Sequence, residues 1–227
     1  MIDSITKSRL KQKYGDEKVL VFPFNDKNFM KIPDRFSPKI FSCDDTSNSR
    51  FVFRYDAEYN DSLIQPIPYI IVINDNRDKA YVLKRTAGEE RLKDSFALGC
   101  GGHISPCDMC GFHGSVFEAA AEREMHEELT IKGNSILVPC GTVQEKASPT
   151  HEHLGIVYTT FVTEKNVKVK ETDKMVGTWM TFDEIVSNYD KFESWGRRII
   201  DWIFENGHSF ECMIQTKNMK YNEEYPA

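Results

Sequence analysis

From Pro68 onward the apolar residues fall into short runs separated by polar turns. Tyr69-Ile70-Ile71-Val72-Ile73 is continuous and apolar, as in a strand buried on both faces. Asn74-Asp75-Asn76 supplies a turn and Ala80-Tyr81-Val82-Leu83-Lys84-Arg85 a second strand, so the two are expected to form a hairpin. Phe96-Ala97-Leu98-Gly99 predicts a third strand, running into Gly101-Gly102. Further strands are expected at 135–139, 141–143, 155–162 and 176–180, and upstream at 18–23 and 51–53. Residues 4–14 read as a short polar helix ended by Gly15. The period changes after Ser115. Phe117, Ala121, Met125 and Leu129 recur every fourth residue, which predicts a helix over 116–130, and Ser115 with Glu118 forms a capping-box pattern at its start. Thr181 and Glu184 repeat that pattern ahead of a short helix to about residue 188. Phe192, Trp195, Ile199, Ile203 and Phe204 predict a last helix ended by Gly207.

Strands and helices in this order imply an α/β fold, an α+β arrangement with a mixed sheet. Its main domain is expected over 66–207, with 1–65 as an N-terminal extension or accessory subdomain and 208–227 as a C-terminal tail. The chain of 227 residues can bury a core without disulfide staples. Net charge is −6 with acids and bases interspersed, so no direct nucleic-acid binding is expected from charge. No apolar run is long enough to span a membrane. The first residues lack the basic and apolar segments of a secretory signal. Six scattered cysteines, Cys43, Cys100, Cys107, Cys110, Cys140 and Cys212, read as reduced thiols, so a cytoplasmic location is expected. A homodimer is left open.

The predicted helix at 116–130 carries the candidate chemistry. Arg123-Glu124-Met125-His126-Glu127-Glu128 places three carboxylates within five residues. At about 100° per residue, Glu124 and Glu128 lie about 40° apart and Glu127 about 60° from Glu124. Like charges at this spacing are unfavourable by roughly 0.2–0.5 kcal/mol per pair. Arg123 can pair with Glu127, but no lysine follows to neutralise Glu124 and Glu128. A solvated acidic face is the plain alternative. Three hard oxygen ligands on one helix edge suit a divalent cation, magnesium or manganese above all.

This string resembles the Nudix box, G-x5-E-x7-R-E-U-x-E-E-x-G-U with U a bulky aliphatic. Arg123, Glu124, Met125, Glu127, Glu128 and Ile131 match its second half, and Gly101-Gly102 looks like the glycine pair that opens it. Gly102 to Arg123 is seven residues longer than the pattern allows, so an insertion intervenes. Asp108 stands at the first glutamate's spacing from Gly102, but eight residues before Arg123 is Ser115, so that glutamate is missing from its usual place. Thr130 replaces the later glycine. The resemblance implies a Nudix-like α/β/α sandwich with an N-terminal extension. It also implies Mg²⁺- or Mn²⁺-dependent hydrolysis of a diphosphate linkage in a nucleotide-like substrate. By it, Glu124, Glu127 and Glu128 are the metal carboxylates, with Glu124 as an alternative base. Arg123 orients Glu124 or Glu127, and Gly102 offers its carbonyl to the metal, with Gly101 beside the substrate. A non-catalytic nucleotide-sensing module on the same fold is the alternative.

Two further sets are candidates. His103, Cys107, Cys110 and His113 have ligand types and spacing suited to a structural zinc, with a flexible loop bearing free thiols as the alternative. Glu145, Glu152 and Glu164 flank the 155–162 strand as extra acids. His153, with His151 nearby, could bring an imidazole to the phosphates, against a plain structural histidine.

Overall fold

The computed structural model describes residues 4–25, 32–40, 48–86, 94–109, 115–146, 153–170, 172–173 and 175–213. Its centre is strand β4, Leu63–Asn74, all twelve residues of which are buried. On one side it runs parallel to β10, His153–Val162, from Gln65 opposite His153 to Asn74 opposite Val162. On the other side it meets three short partners in turn: β1 (Lys18–Pro23) at Leu63 and Ile64, β7 (Cys100–Gly101) at Tyr69 and Ile70, and β5 (Lys79–Arg85) at Ile73. Pro66 and Pro68, which cannot donate to a ladder, lie in the stretch between the β1 and β7 partners. Strand β5 continues to β12 (Met175–Thr181), and β10 to β9 (Val138–Val143), whose far side takes the two residues of β2, Phe36–Ser37. The sheet is therefore mixed, as the sequence suggests.

Alternation along β4 and β10 makes three layers. Ile70, Val72, Ile156 and Tyr158 belong to one buried cluster with Phe117, Ala120, Ala121 and Met125 of the helix Val116–Glu128. Tyr69, Ile71, Ile73 and Val157 belong to the other, with Ile199, Ile200 and Ile203 of the helix Ser194–Glu205. A period of two on the strands sorts side chains to opposite faces, and each face finds one helix. This is the α/β/α sandwich.

The extension contributes to the same interior. Strand β1 pairs with β3, Arg50–Phe53, and Leu20 and Phe22 of β1 join the first cluster, where the Phe22 ring stacks on Phe117 at 6.4 Å. A short helix, Arg54–Ala57, follows β3 and delivers Glu58 at its end. Beyond the last helix, Phe210 and Met213 are buried against the second cluster.

Several expectations shift: the strands expected at 135–139 and 141–143 form one, Val138–Val143, the strand expected at 96–99 is Phe96–Ala97 alone, and Phe204 is exposed. The middle helix ends at Glu128, because residues Leu129–Ile131 turn into strand β8 and pair with β11, Val167–Val169. Leu129 stays buried as predicted, but through a strand. The strand expected from Tyr69 begins six residues earlier, at Leu63, despite its prolines.

Candidate active site

The helix Val116–Glu128 starts where its sequence says: the Ser115 hydroxyl accepts from the amides of Phe117 and Glu118, at 3.1 and 3.4 Å. Its apolar residues face the sheet, which leaves Arg123, Glu124, Glu127 and Glu128 along the edge nearest β7. The glycine pair lets that edge come close. A side chain on Gly101 would strike the carbonyl oxygen of Pro68, and a Cβ on Gly102 would fall within the Glu124 carboxylate.

Arg123 braces the site. Its Nε and Nη2 donate to the two oxygens of Asp108, at 2.7 and 2.9 Å, a bidentate pair. Nη2 also donates to the His103 carbonyl at 2.9 Å, and Nη1 to Glu124 Oε1 at 2.7 Å and Glu127 Oε1 at 3.2 Å. Asp108 sits in a single 3-10 turn, Pro106–Met109, where its carboxylate also takes the Ser105 amide at 2.8 Å. An acid, Asp108, thus stands at the pattern's spacing counted forward from Gly102, where counting back from Arg123 gives Ser115. The extra residues lie between Asp108 and the helix, and Ser115, standing at the expected place, caps the helix instead. Asp108 is the residue whose role backward counting misses; its spacing from Gly102 was the available signal.

Charge follows this geometry. Burial works to raise the Asp108 pKa, but the Arg123 and Ser105 hydrogen bonds prevail and hold it below the ordinary carboxylate value. The Asp108 bond leads the effects that keep Arg123 firmly protonated. Glu124 moves the other way: burial lifts its pKa, although the Arg123 bond opposes this. Burial also pushes the Cys100 thiol well up, helped by the negative charge of Glu128 and Glu124. Glu127 is the open member, its side chain more than half exposed.

The Glu124 carboxylate, a hard oxygen donor of the kind a magnesium-class ion takes, stands where a Gly102 side chain would be. Arg123 ties it to Glu127, but among the described residues the three-donor group whose ligand atoms converge is Glu58, His103 and His153, not Glu124, Glu127 and Glu128.

The other candidates lie elsewhere. Glu164 is held by Lys79 at 3.2 Å and Asn74 at 2.9 Å, at the far end of β10, about 30 Å from His153 at the usual strand rise. Glu145 faces Arg198 at 3.8 Å. Glu152, His151, Cys110 and His113 lie outside the described residues. Of the zinc quartet expected from the insertion, His103 and Cys107 are among the described residues, and they point apart. Cys107 is exposed, with Sγ 2.8 Å from Ser105 Oγ, whereas His103 turns to His153, ring centroids 5.3 Å apart and nearly perpendicular. The ligand atoms of Glu58, His103 and His153 all lie within 4.8 Å of one another. Burial first, then the Arg54 charge and His153, hold the His103 pKa well below its ordinary value. Glu58 carries no spacing signal that sequence reasoning could have used.

Comparison with known proteins agrees with this architecture. The NUDIX domain family model matches residues 65–203, more than half of the chain. The chain belongs to that family, and so to the Nudix hydrolases, which act on phosphoanhydride bonds. It is 29% identical over 156 residues to protein YmaB of Bacillus subtilis, which covers 65% of this chain and 75% of YmaB. The crystal structure of Tm1382 matches with a TM-score of 0.67 at 22% identity, covering 83% of this chain and 99% of Tm1382. DR0079 of Deinococcus radiodurans matches with a TM-score of 0.50 at 12% identity, covering 83% and 98%. At these identities the two structures speak for the fold alone. The match to Tm1382 spans more of the chain than 65–203, so part of the flanking chain is common to both folds. Among the described residues, no helix is long and apolar enough to cross a membrane.

Proposed function

We propose that this hydrolase cleaves a diphosphate linkage in a nucleoside diphosphate derivative, using Mg²⁺, or Mn²⁺ in its place, held at the edge of the helix Val116–Glu128. The observation that carries the reading is the Arg123 brace: one guanidinium bonds Asp108, Glu124 and Glu127, and of these Glu124 stands against Gly102. Glu127, Glu128 and the Gly102 carbonyl are the proposed ligands, and Glu124 can share the ion. When bound, the ion neutralises phosphate charge and polarises a water.

The protein's own part is positional. Arg123 holds Glu124 and Glu127 in fixed orientations and is itself anchored by Asp108, so the acids need not reorganise when substrate arrives. Glu124 Oε1 is engaged by Arg123, while Oε2 is the atom closest to where a Gly102 side chain would stand. Burial raises the pKa of this carboxylate and so favours its taking a proton, and Glu124 Oε2 is the proposed acceptor from the attacking water. Glu58 places its carboxylate within 4.8 Å of the ligand atoms of His103 and His153, and His103 follows Gly102 directly in the chain.

The test is a panel of nucleotide sugars, dinucleotides and nucleoside triphosphates with Mg²⁺ or Mn²⁺, read by phosphate-product analysis. Hydrolysis at a diphosphate bond that depends on the added ion supports the reading. No hydrolysis of any member, with either ion, overturns it.

A further inference from the structure

We propose that Glu58, His103 and His153 form a second metal site, for one borderline divalent ion of the zinc class, which ties the N-terminal extension to the loop carrying Gly102. The three residues come from separate segments: the end of the helix Arg54–Ala57, the loop after β7, and the first residue of β10. No helical or strand period brings them together, yet their ligand atoms converge within 4.8 Å. Two imidazoles and a carboxylate are the donors that zinc and its neighbours prefer; an all-oxygen set suits magnesium. The chemistry therefore separates this site from the acids of Glu124, Glu127 and Glu128.

Burial points the same way. Glu58 is only 7% exposed, and His103 Nε2 is closed to solvent with no hydrogen-bond partner among the described residues. Native interiors rarely leave such an atom unpaired, and a metal ion is one of the partners that can satisfy it. Gln65, opposite His153 in the parallel register, is fully buried, and both polar atoms of its amide also lack a hydrogen-bond partner among the described residues. Arg54 is the opposing charge. Its Nε bonds Glu58 Oε1 at 3.0 Å, but its Nη1 also bonds Glu17 at 2.9 Å, so it keeps a partner when Glu58 turns to an ion.

His103 links the two sites. Its carbonyl accepts from Arg123, while its ring belongs to the Glu58 cluster. An ion on the ring would fix the loop that also presents Gly102 to Glu124.

The test starts from the full chain stripped by chelator. Zinc is titrated by calorimetry and Co²⁺ by its visible absorption, both with excess Mg²⁺ present. Wild type and the Glu127→Gln/Glu128→Gln variant are expected to bind one equivalent of zinc and to show the same cobalt band. His103→Gln and His153→Gln are expected to lose zinc affinity by about a hundredfold or more, at least the upper loss seen when ligand-supporting groups are removed. Circular dichroism of the stripped proteins checks folding, and Glu58→Gln, the mildest change in shape, gives a third ligand variant. The proposal is overturned if wild type binds no zinc, if folded ligand variants keep the band, or if the Glu127→Gln/Glu128→Gln variant loses it.

Discussion

The two long helices on either face of the sheet solve the same packing problem and diverge on their polar edges. Ser194–Glu205 buries Gly196, Ile199, Ile200 and Ile203 at spacings of three and four, and the rest of it, including Arg197, Arg198, Asp201 and Glu205, mixes both signs of charge. Val116–Glu128 buries Phe117, Ala120, Ala121 and Met125 on the same rhythm. Its opposite edge crowds carboxylates of one sign and draws its arginine inward to hold them. Folding alone would be served better by the mixed edge, since like charges one turn apart are unfavourable. The difference separates a helix shaped by stability from one shaped by what it must bind.

Substitutions in the two helices should therefore split cleanly. The largest effect is expected from Ile199→Ala, which empties a fully buried site between helix and sheet. Urea unfolding should show a loss of about 2–5 kcal/mol, with turnover per folded molecule unchanged. Glu127→Gln or Glu128→Gln should do the reverse. The fold should survive by circular dichroism while turnover falls about a hundredfold, equivalent to about 2.7 kcal/mol in the barrier. If both variants match wild type on an authentic substrate, these acids are misassigned. Gly102→Ala joins the two effects: the new methyl must displace the Glu124 carboxylate, so stability should fall by about 1–3 kcal/mol and turnover with it.

How much was legible in the sequence follows the reach of the interactions. The strand Lys18–Pro23 and the helix Ser4–Tyr14 fall where apolar and polar runs put them, because local pattern decides both. The capping box at Thr181 is formed in both directions, with Glu184 returning a bond to the Thr181 amide. The acidic edge was readable because its residues are neighbours in sequence. Strand β8 was missed because its three residues are extended only through pairing with β11, and Thr130 and Ile131 alone continue a helical pattern. Asp108 stands at the right spacing from Gly102 but gets no role from sequence, because the insertion breaks counting back from Arg123 and only the Arg123 contact shows which side to count from. Glu58 was invisible, since its meeting with His103 and His153 is purely tertiary.

The gentlest probe of the acidic edge is the pH dependence of its anchor. Asp108 titrates below its ordinary value in the folded protein, so its ionised form is stabilised by folding. That contribution is fully present above the unfolded carboxyl pKa, near pH 4, and is lost as pH falls through the lower folded value. Asp108→Asn keeps the shape and removes the charge. Near pH 7 it should be about 1–2 kcal/mol less stable than wild type, a partly buried pair with Arg123 a quarter exposed. As pH falls from about 4 through the lower folded value the wild-type carboxyl protonates in both states and the two proteins should converge. Urea unfolding of both between pH 3 and pH 7 measures the gap. A gap that stays constant to the acid end would mean that Asp108 acts through packing and not through its charge on Arg123. The contrast between a helix edge held by charge and one held by apolar contacts would then have to be drawn from Glu124 and Glu127 alone.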